Sequence, residues 1–394
     1  MNDYSNLAIP NPQPVATAES RRSLRIGFPS SATNGHTFPI TPESAALLVD
    51  RGYTVTIETG AGGVIHYTDE AYTRRGVIVA SRRDTLQCDI IVGLDGLTAT
   101  EVSQMKRGAT LLTLLIHRSI NPDTVKALQQ RHIHTIDLNM VEDQNGHRPF
   151  ADILTEIEGR AAMTVAAFML AHPEHGKGIM LGGVTGVIPC EVVVLGADIG
   201  ARAAAQSALA LGTIVRMLDN NPYGLREARL TLGPGVVTSA LHPHVLVNSL
   251  RSADIVIASG LSYPHFIDAE AVNCMKRGVI VMDLSSDTRP AFPSLPLTDV
   301  STALHPATNG LWGGRVCYTA PGRTVPRTAA MAISNTLIDV LPSISSATDI
   351  PNPMKMSRGI RMATCTLRGK VVDPECARAI GERPFDINLL MSCS

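Results

Sequence analysis

Residues 192–205 read VVVLGADIGARAAA, and the reading of the whole chain turns on this stretch. An aliphatic run gives way to a turn of small residues and then to an alanine-rich segment: a buried strand entering a helix through a glycine turn. A turn of this form seats a dinucleotide pyrophosphate when it carries G-x-G-x-x-G or G-x-G-x-x-A. Backbone N–H groups and the positive end of the helix dipole supply the attraction. Gly196 is the first glycine here, Ala201 the last small residue, and Ile199 lies between them. Asp198 stands where the second glycine belongs. Two unit charges about 4 Å apart repel by about 4 kcal/mol at an effective dielectric near 20, on the order of a thousandfold in affinity. Arg202 is four residues further on, on the same face of a helix that begins at the turn. It can neutralise Asp198 or reach the pyrophosphate itself. The stretch therefore belongs to a dinucleotide protein with an altered turn, or to one that has lost the cofactor.

The next strand ends RMLD, which places Asp219 about 20 residues beyond Gly196, where an acid accepts hydrogen bonds from the adenosine ribose. An acid there disfavours a 2′-phosphate, so the pattern favours NAD over NADP. The bland alternative is an ordinary strand–helix corner with Asp219 exposed or capping. Ser259, in ADIVIAS, and Leu261 are further candidate cofactor-binding residues.

Outward from this unit, short β-rich runs alternate with helical stretches from Leu24 onward. LRIGFP, TVTIETG, CDIIVGL, ATLLTLLIH and IHTIDL are strands. TPESAALLVDRGY is a helix with Thr41 as its cap and a proline at its first position. A long helix, DILTEIEGRAAMTVAAFMLAHP, precedes the second set of α/β units, which ends in GVIVMDLS, and AAMAISNTLIDVL is another long helix. The remainder, through Ser394, is expected to be helical and peripheral. Alternating strands and helices imply parallel sheets covered on both faces. The expected fold is α/β, with two doubly wound Rossmann-like domains linked by long helices and an active cleft between them. Residues 1–23, polar and without a secretory pattern, are expected to be a flexible lead. Residues 24–152 with 322–394 form a discontinuous substrate domain, and 153–321 the NAD-binding domain.

Composition agrees. The chain has 394 residues, 44% hydrophobic and only 4% aromatic, which suits aliphatic cores. Its net charge of −1 offers no basic excess for nucleic acid. No run reaches the about 18 apolar residues of a membrane span. The seven cysteines are scattered without a C-x-x-C pair, as expected of free thiols in a reducing cytoplasm. No metal site is expected.

Two further groups carry possible chemistry. His117 in LLIHRSINPD falls at the carboxyl end of an apolar strand, where a histidine can act as general acid–base. A satisfied strand-end histidine is the plain alternative. Arg118 beside it can bind a carboxylate or stay solvated. In VIVMDLSSD, Asp283 and Asp287 come out near a strand end, where either can orient an amine, a water or a nicotinamide ring, or simply cap a loop.

These pieces, in this order, resemble the alanine dehydrogenase family, which includes the N-terminal NAD-binding part of the proton-pumping transhydrogenase alpha chain. The likeness runs from about residue 24 to 342. RIGFPSSATNGHTFPITPESAALLVDRGYTVTIETGAG resembles the family's opening. TEIEGRAAM, GGVTGVIP and VPRTAAMAISN resemble its later blocks, with a gap-free run from VVVLG to MLD. The resemblance implies NAD as cofactor, His117 and Asp287 as catalytic groups, and Thr155 at a cofactor-contacting position. The family arginine that grips a substrate carboxylate falls at Thr37, and a family lysine falls near Asp95. With both cations replaced, an alanine-like substrate loses its charge clamp. The resemblance thus implies an NAD-linked oxidoreductase acting at the C–N bond of an amino acid or amine other than alanine, assembled as a homo-oligomer (dimer or hexamer). Arg118 then replaces the lost clamp, or Asp95 recognises a cationic substrate. The alternatives are a catalytically inactive NAD-binding or regulatory homologue and, third, a transhydrogenase component with a membrane partner.

Overall fold

The computed structural model of the chain describes residues 23–31, 38–114, 120–261, 267–285, 290–305, 312, 314–345 and 357–392. Its strands are, in order, β1 (Arg25–Phe28), β2 (Thr54–Glu58), β3 (Ile78–Ala80), β4 (Ile90–Val92), β5 (Thr110–Thr113), β6 (His134–Asp137), β7 (Glu191–Leu195), β8 (Ile214–Leu218), β9 (Val236–Ser239), β10 (Ile255–Ala258), β11 (Ile280–Asp283), β12 (Leu297–Asp299), β13 (Cys317–Thr319), β14 (Thr364–Leu367) and β15 (Lys370–Val371). One sheet has the order β15-β14-β6-β5-β4-β1-β2-β3 and the other β12-β13-β11-β10-β7-β8-β9. Both are doubly wound. The order reverses beside β1 in the first sheet and beside β7 in the second, and each reversal opens a crevice beyond the strand carboxyl ends.

The local causes are those that the sequence offers. Thr41 accepts the Ser44 N–H at 3.3 Å, Pro42 opens the helix Pro42–Asp50, and Ser44, Ala45 and Leu48 face inward. The central strands are buried along their length, as all-aliphatic parallel strands between helices must be.

The helix Pro149–Ala171 belongs to two cores at once. Its early residues Phe150 and Ile157 pack with the first sheet, and Ala162, Met163, Val165, Ala166, Met169 and Leu170 pack with the second. The helix Pro326–Ile344 returns to the first core through Ala330, Ile333, Leu337, Leu341 and Ile344, a helical spacing of three and four.

The C-terminal remainder differs from expectation. It is not only helical and peripheral: Thr364–Leu367 pairs antiparallel with β6, and Lys370–Val371 folds back on it. The TCTL run, flanked by helix-like segments, carries two threonines and a cysteine where most of the strands read from the sequence carry aliphatic runs. Thr366 reaches the Ile133 carbonyl at 2.8 Å and Thr135 at 2.9 Å, so strand pairing is reinforced by hydroxyls inside the sheet. Among the described residues no helix is long and apolar enough to cross a membrane, and six cysteines are free thiols.

Candidate functional site

The parallel register sets Leu195 of β7 opposite Ala258 of β10, so the turn at Gly196 meets the turn at Ser259 across the strand-order reversal. The approach is close. Gly196 has φ 111°, and a Cβ there would lie 1.7 Å from the Ser259 carbonyl oxygen. Only glycine meets both conditions. Ser259 is buried and donates its N–H to the Leu195 carbonyl at 2.9 Å. Leu261, half-buried, packs on the adjacent core.

Beyond the turn begins the helix Ile199–Ala210, with Ile199 half-buried and Ala201 fully buried. A Cβ on Gly200 would fall 2.7 Å from Ser259 Oγ and 2.9 Å from Thr155 Cγ2. A Cβ on Gly159 would fall 2.2 Å from the Gly200 carbonyl oxygen. This pair of glycines lets the long helix Pro149–Ala171 press its backbone against the turn. Thr155 sits in that contact, its hydroxyl donating to the Ala151 carbonyl at 2.7 Å.

Asp198 is the N-cap of the helix. Its Oδ1 accepts the Ala201 N–H at 2.8 Å, and its Oδ2 accepts the Ser259 hydroxyl at 3.0 Å. A Cβ on Gly260, whose φ is +65°, would lie 2.6 Å from the Asp198 carboxyl carbon. The carboxylate is therefore held between the two turns. Of the two roles the sequence left to Arg202, neutralising Asp198 is not seen. The Arg202 guanidinium donates to the Ala197 carbonyl at 3.0 Å and pairs with Glu227 at 3.2 Å. The Asp198 carboxylate is taken up by the helix cap and the Ser259 hydroxyl, while Arg202 has a carboxylate partner of its own in Glu227.

Asp219 stands at the end of β8, half-buried, where its Oδ1 accepts the Asn221 N–H at 2.9 Å. Asp283 is buried at the end of β11, and its carboxylate is engaged by the Ser285 N–H and hydroxyl and by the Ala291 N–H at 2.8 Å. These bonds clamp the loop after β11. Glu158, which the sequence did not single out, accepts the Gly322 N–H at 2.8 Å where the chain turns back toward the first core. Burial pushes its carboxyl above the usual range, against the lowering pull of that N–H and of Arg323.

At the crevice of the first sheet, Asp95 is exposed in the turn after β4 and accepts the Ser31 hydroxyl from the loop after β1. That loop is anchored from below. Arg82 donates to the Ser30 carbonyl at 2.9 Å and pairs with Glu58 at 2.7 Å and with Glu101 at 2.5 Å, while the Ser30 N–H donates to Glu58 at 2.7 Å. Thr37, His117, Arg118 and Asp287 lie outside the described residues.

The comparisons with known proteins agree with this architecture. A family model described as alanine dehydrogenase/PNT, C-terminal domain, matches residues 162–374, and its N-terminal counterpart matches residues 32–157. The chain belongs to the alanine dehydrogenase/PNT family. It is 30% identical over 326 residues to an alanine dehydrogenase of Bilophila wadsworthia, covering 79% of this chain and 85% of that one. It is 28% identical over 381 residues to the alanine dehydrogenase of Geobacillus stearothermophilus, covering 93% of this chain and 100% of that one. A solved L-alanine dehydrogenase superposes with a TM-score of 0.80 at 24% identity, covering 91% and 99% of the two chains. These relatives place the chain among alanine dehydrogenase-like oxidoreductases.

For a dinucleotide, the residues of this family member agree at three points: the tight Gly196 turn, the helix beginning at Ile199, and Asp219 on the neighbouring strand. They conflict at one, because the Asp198 carboxylate engages the Ala201 N–H at the helix start.

Proposed function

We propose that this protein is an NAD-dependent oxidoreductase acting on the C–N bond of an amino acid or amine. The observation that carries the reading is the contact of Gly196 with Ser259 at the strand-order reversal, with Asp219 at the end of the next strand. Residues 153–321 then form the cofactor domain, and residues 24–152 with 322–394 the substrate domain, with the reaction in the cleft between them. Gly196, Ile199, Ala201 and Ser259 would hold the pyrophosphate side, Asp219 the ribose, and Thr155 and Leu261 the flanks. When bound, NAD supplies the hydride acceptor.

The chain's own groups do the rest. His117 moves the proton of the substrate during carbinolamine or imine formation. Asp287 holds the amine or the attacking ammonia by charge and hydrogen bonding. Thr37 and Asp95, standing where the family carries cations, support a substrate other than alanine. Asp95 is exposed at the first crevice and suits a cationic substrate group, and Arg118 is placed in sequence to take a carboxylate.

Self-association is part of the proposal. The segment around the Val184–Val187 bridge exposes Met180, Val184, Val187 and Ile188, the last at 83%, an apolar arm that suits burial against a second copy. The free buried thiols fit a reducing cytoplasm.

The test is a panel of amino acids, amines and 2-oxo acids with NAD(H) and NADP(H), read by absorbance. Turnover of a basic amino acid or amine with NAD, and little with alanine, is expected. Robust alanine oxidation, within the usual range of about 1–1000 per second, would overturn the substrate assignment. Absence of any NADH binding would favour a homologue without turnover, the reading to which Asp198 lends its weight.

A further inference from the structure

We infer that Asp198 is a specificity-determining residue: a tethered anion that competes with the dinucleotide pyrophosphate for the Ala201 N–H and the Ser259 hydroxyl. The inference rests on the proposed NAD site and concerns how that site is regulated from within.

The argument is one of occupancy. A pyrophosphate at this turn needs donors at the start of the helix Ile199–Ala210 and close approach of the backbone beside Gly196. Asp198 already uses the Ala201 N–H at 2.8 Å. It also draws in the Ser259 hydroxyl at 3.0 Å from the opposite turn, and Gly260 has no side chain to push it out. The carboxylate thus spans the gap between the turns of β7 and β10 with one oxygen on each side. Among the described residues no cation pairs with it, since Arg202 is committed to Glu227 and the Ala197 carbonyl. Dinucleotide binding requires this side chain to rotate out and surrender both hydrogen bonds, and the displaced charge remains close to the phosphates.

A competitor built into the chain acts at fixed effective concentration. If the carboxylate occupies the gap nine parts in ten, the affinity for a pyrophosphate falls about tenfold, because apparent affinity scales with the competent fraction. Only ligands carrying phosphates at the turn feel this. A ligand that uses the Asp219 side of the site alone, such as adenosine, does not. The site thereby discriminates within the adenine nucleotides by what lies between the ribose and the rest of the molecule.

Calorimetric titration of the full chain with NADH and with adenosine tests the inference. Asp198→Gly removes the competitor and restores the usual glycine. Asp198→Ser keeps a good helix cap but is too short to bridge to Ser259, and it guards against a folding defect in the glycine variant. Asp198→Gly is expected to tighten NADH at least tenfold, about 1.4 kcal/mol, and Asp198→Ser, which removes the charge and the bridge to Ser259 but still caps the Ala201 N–H, to tighten it by a smaller factor, with adenosine unchanged within about twofold in both. Equal or weaker NADH binding in both variants would overturn the inference, as would a parallel gain for adenosine. The NAD reading fails separately. If the unmodified chain binds no NADH while the variants do, the inference stands and the native chain is not an NAD enzyme. If the unmodified chain binds NADH and the variants gain nothing, the reading stands and the inference falls.

Discussion

The two sheets close their crevices by different means. Beside β7 the facing turns meet through backbone, with Gly196 against the Ser259 carbonyl and a single carboxylate lying between them. Beside β1 they meet through side chains, with Ser31 on Asp95 over the Arg82–Glu58–Glu101 group. The backbone closure tolerates no added atom and fixes its geometry sharply. The side-chain closure depends on charges that are partly open to water, so it adapts and can change specificity without unfolding the sheet. A cofactor side that must hold one shape and a substrate side free to diverge would be built in this way.

The largest expected effect tests the backbone closure. Gly196→Ala places a methyl group on the Ser259 carbonyl at a backbone angle that alanine resists, and should cost at least about 3 kcal/mol. Chemical denaturation would show it, and a loss below about 1 kcal/mol would mean that the two turns are not locked together. An effect of similar size belongs to the first sheet at low pH. Burial lowers the pKa of His134 to about 4. The unfolded chain takes up a proton below about pH 6.5, whereas the folded chain does so only near its lowered value. Stability is therefore complete above about pH 6.5 and is lost as the pH falls toward 4, by about 3 kcal/mol. In His134→Gln the denaturation midpoint should vary less over this window, and an unchanged slope would place the acid sensitivity elsewhere.

Next comes Arg82→Met, which leaves Glu58 and Glu101 facing one another in a half-buried site. A loss of about 2 kcal/mol is expected, less than for a fully buried pair, together with a raised KM as the loop after β1 loosens. Loss of kcat alone would contradict this positioning role. The smallest effect is that of Asp95→Asn. The residue is exposed, so stability should change by less than about 0.5 kcal/mol, while discrimination between cationic and neutral substrates weakens. Unaltered discrimination would remove Asp95 from the substrate side.

What the sequence made legible follows the range of the interactions. The strand–turn–helix at Gly196, the Thr41–Pro42 helix start and the position of Asp219 depend on neighbours within a few residues. The Asp198 carboxylate has one such near neighbour, the Ala201 N–H, but its second partner, Ser259, is 61 residues away and is brought close only by the pairing of β7 with β10. Gly159 and Gly200 could have been noticed as glycines inside helical patterns, which cost about 1 kcal/mol against alanine and so ask for a packing reason. Arg82 gave no such sign, since in SRRDTLQ it is indistinguishable from its solvated neighbour Arg83. The strands β14 and β15 were missed because TCTL and KV lack the aliphatic run that marked most strands of equal length elsewhere.

Those two strands carry a consequence for the life of the chain. Without them β6 would end the sheet, and its row of amide groups would be open to any extended polypeptide that came near. The antiparallel TCTL strand covers that row, and the outermost strand is only two residues long and begins with Lys370, a poor template for further growth. His134 joins the cover to the sheet through the Thr364 hydroxyl at 3.4 Å. A chain cut short before residue 357 would keep both crevices and expose this edge, so its failure would first be seen as precipitation and fibrillar association of molecules whose binding turns are still intact.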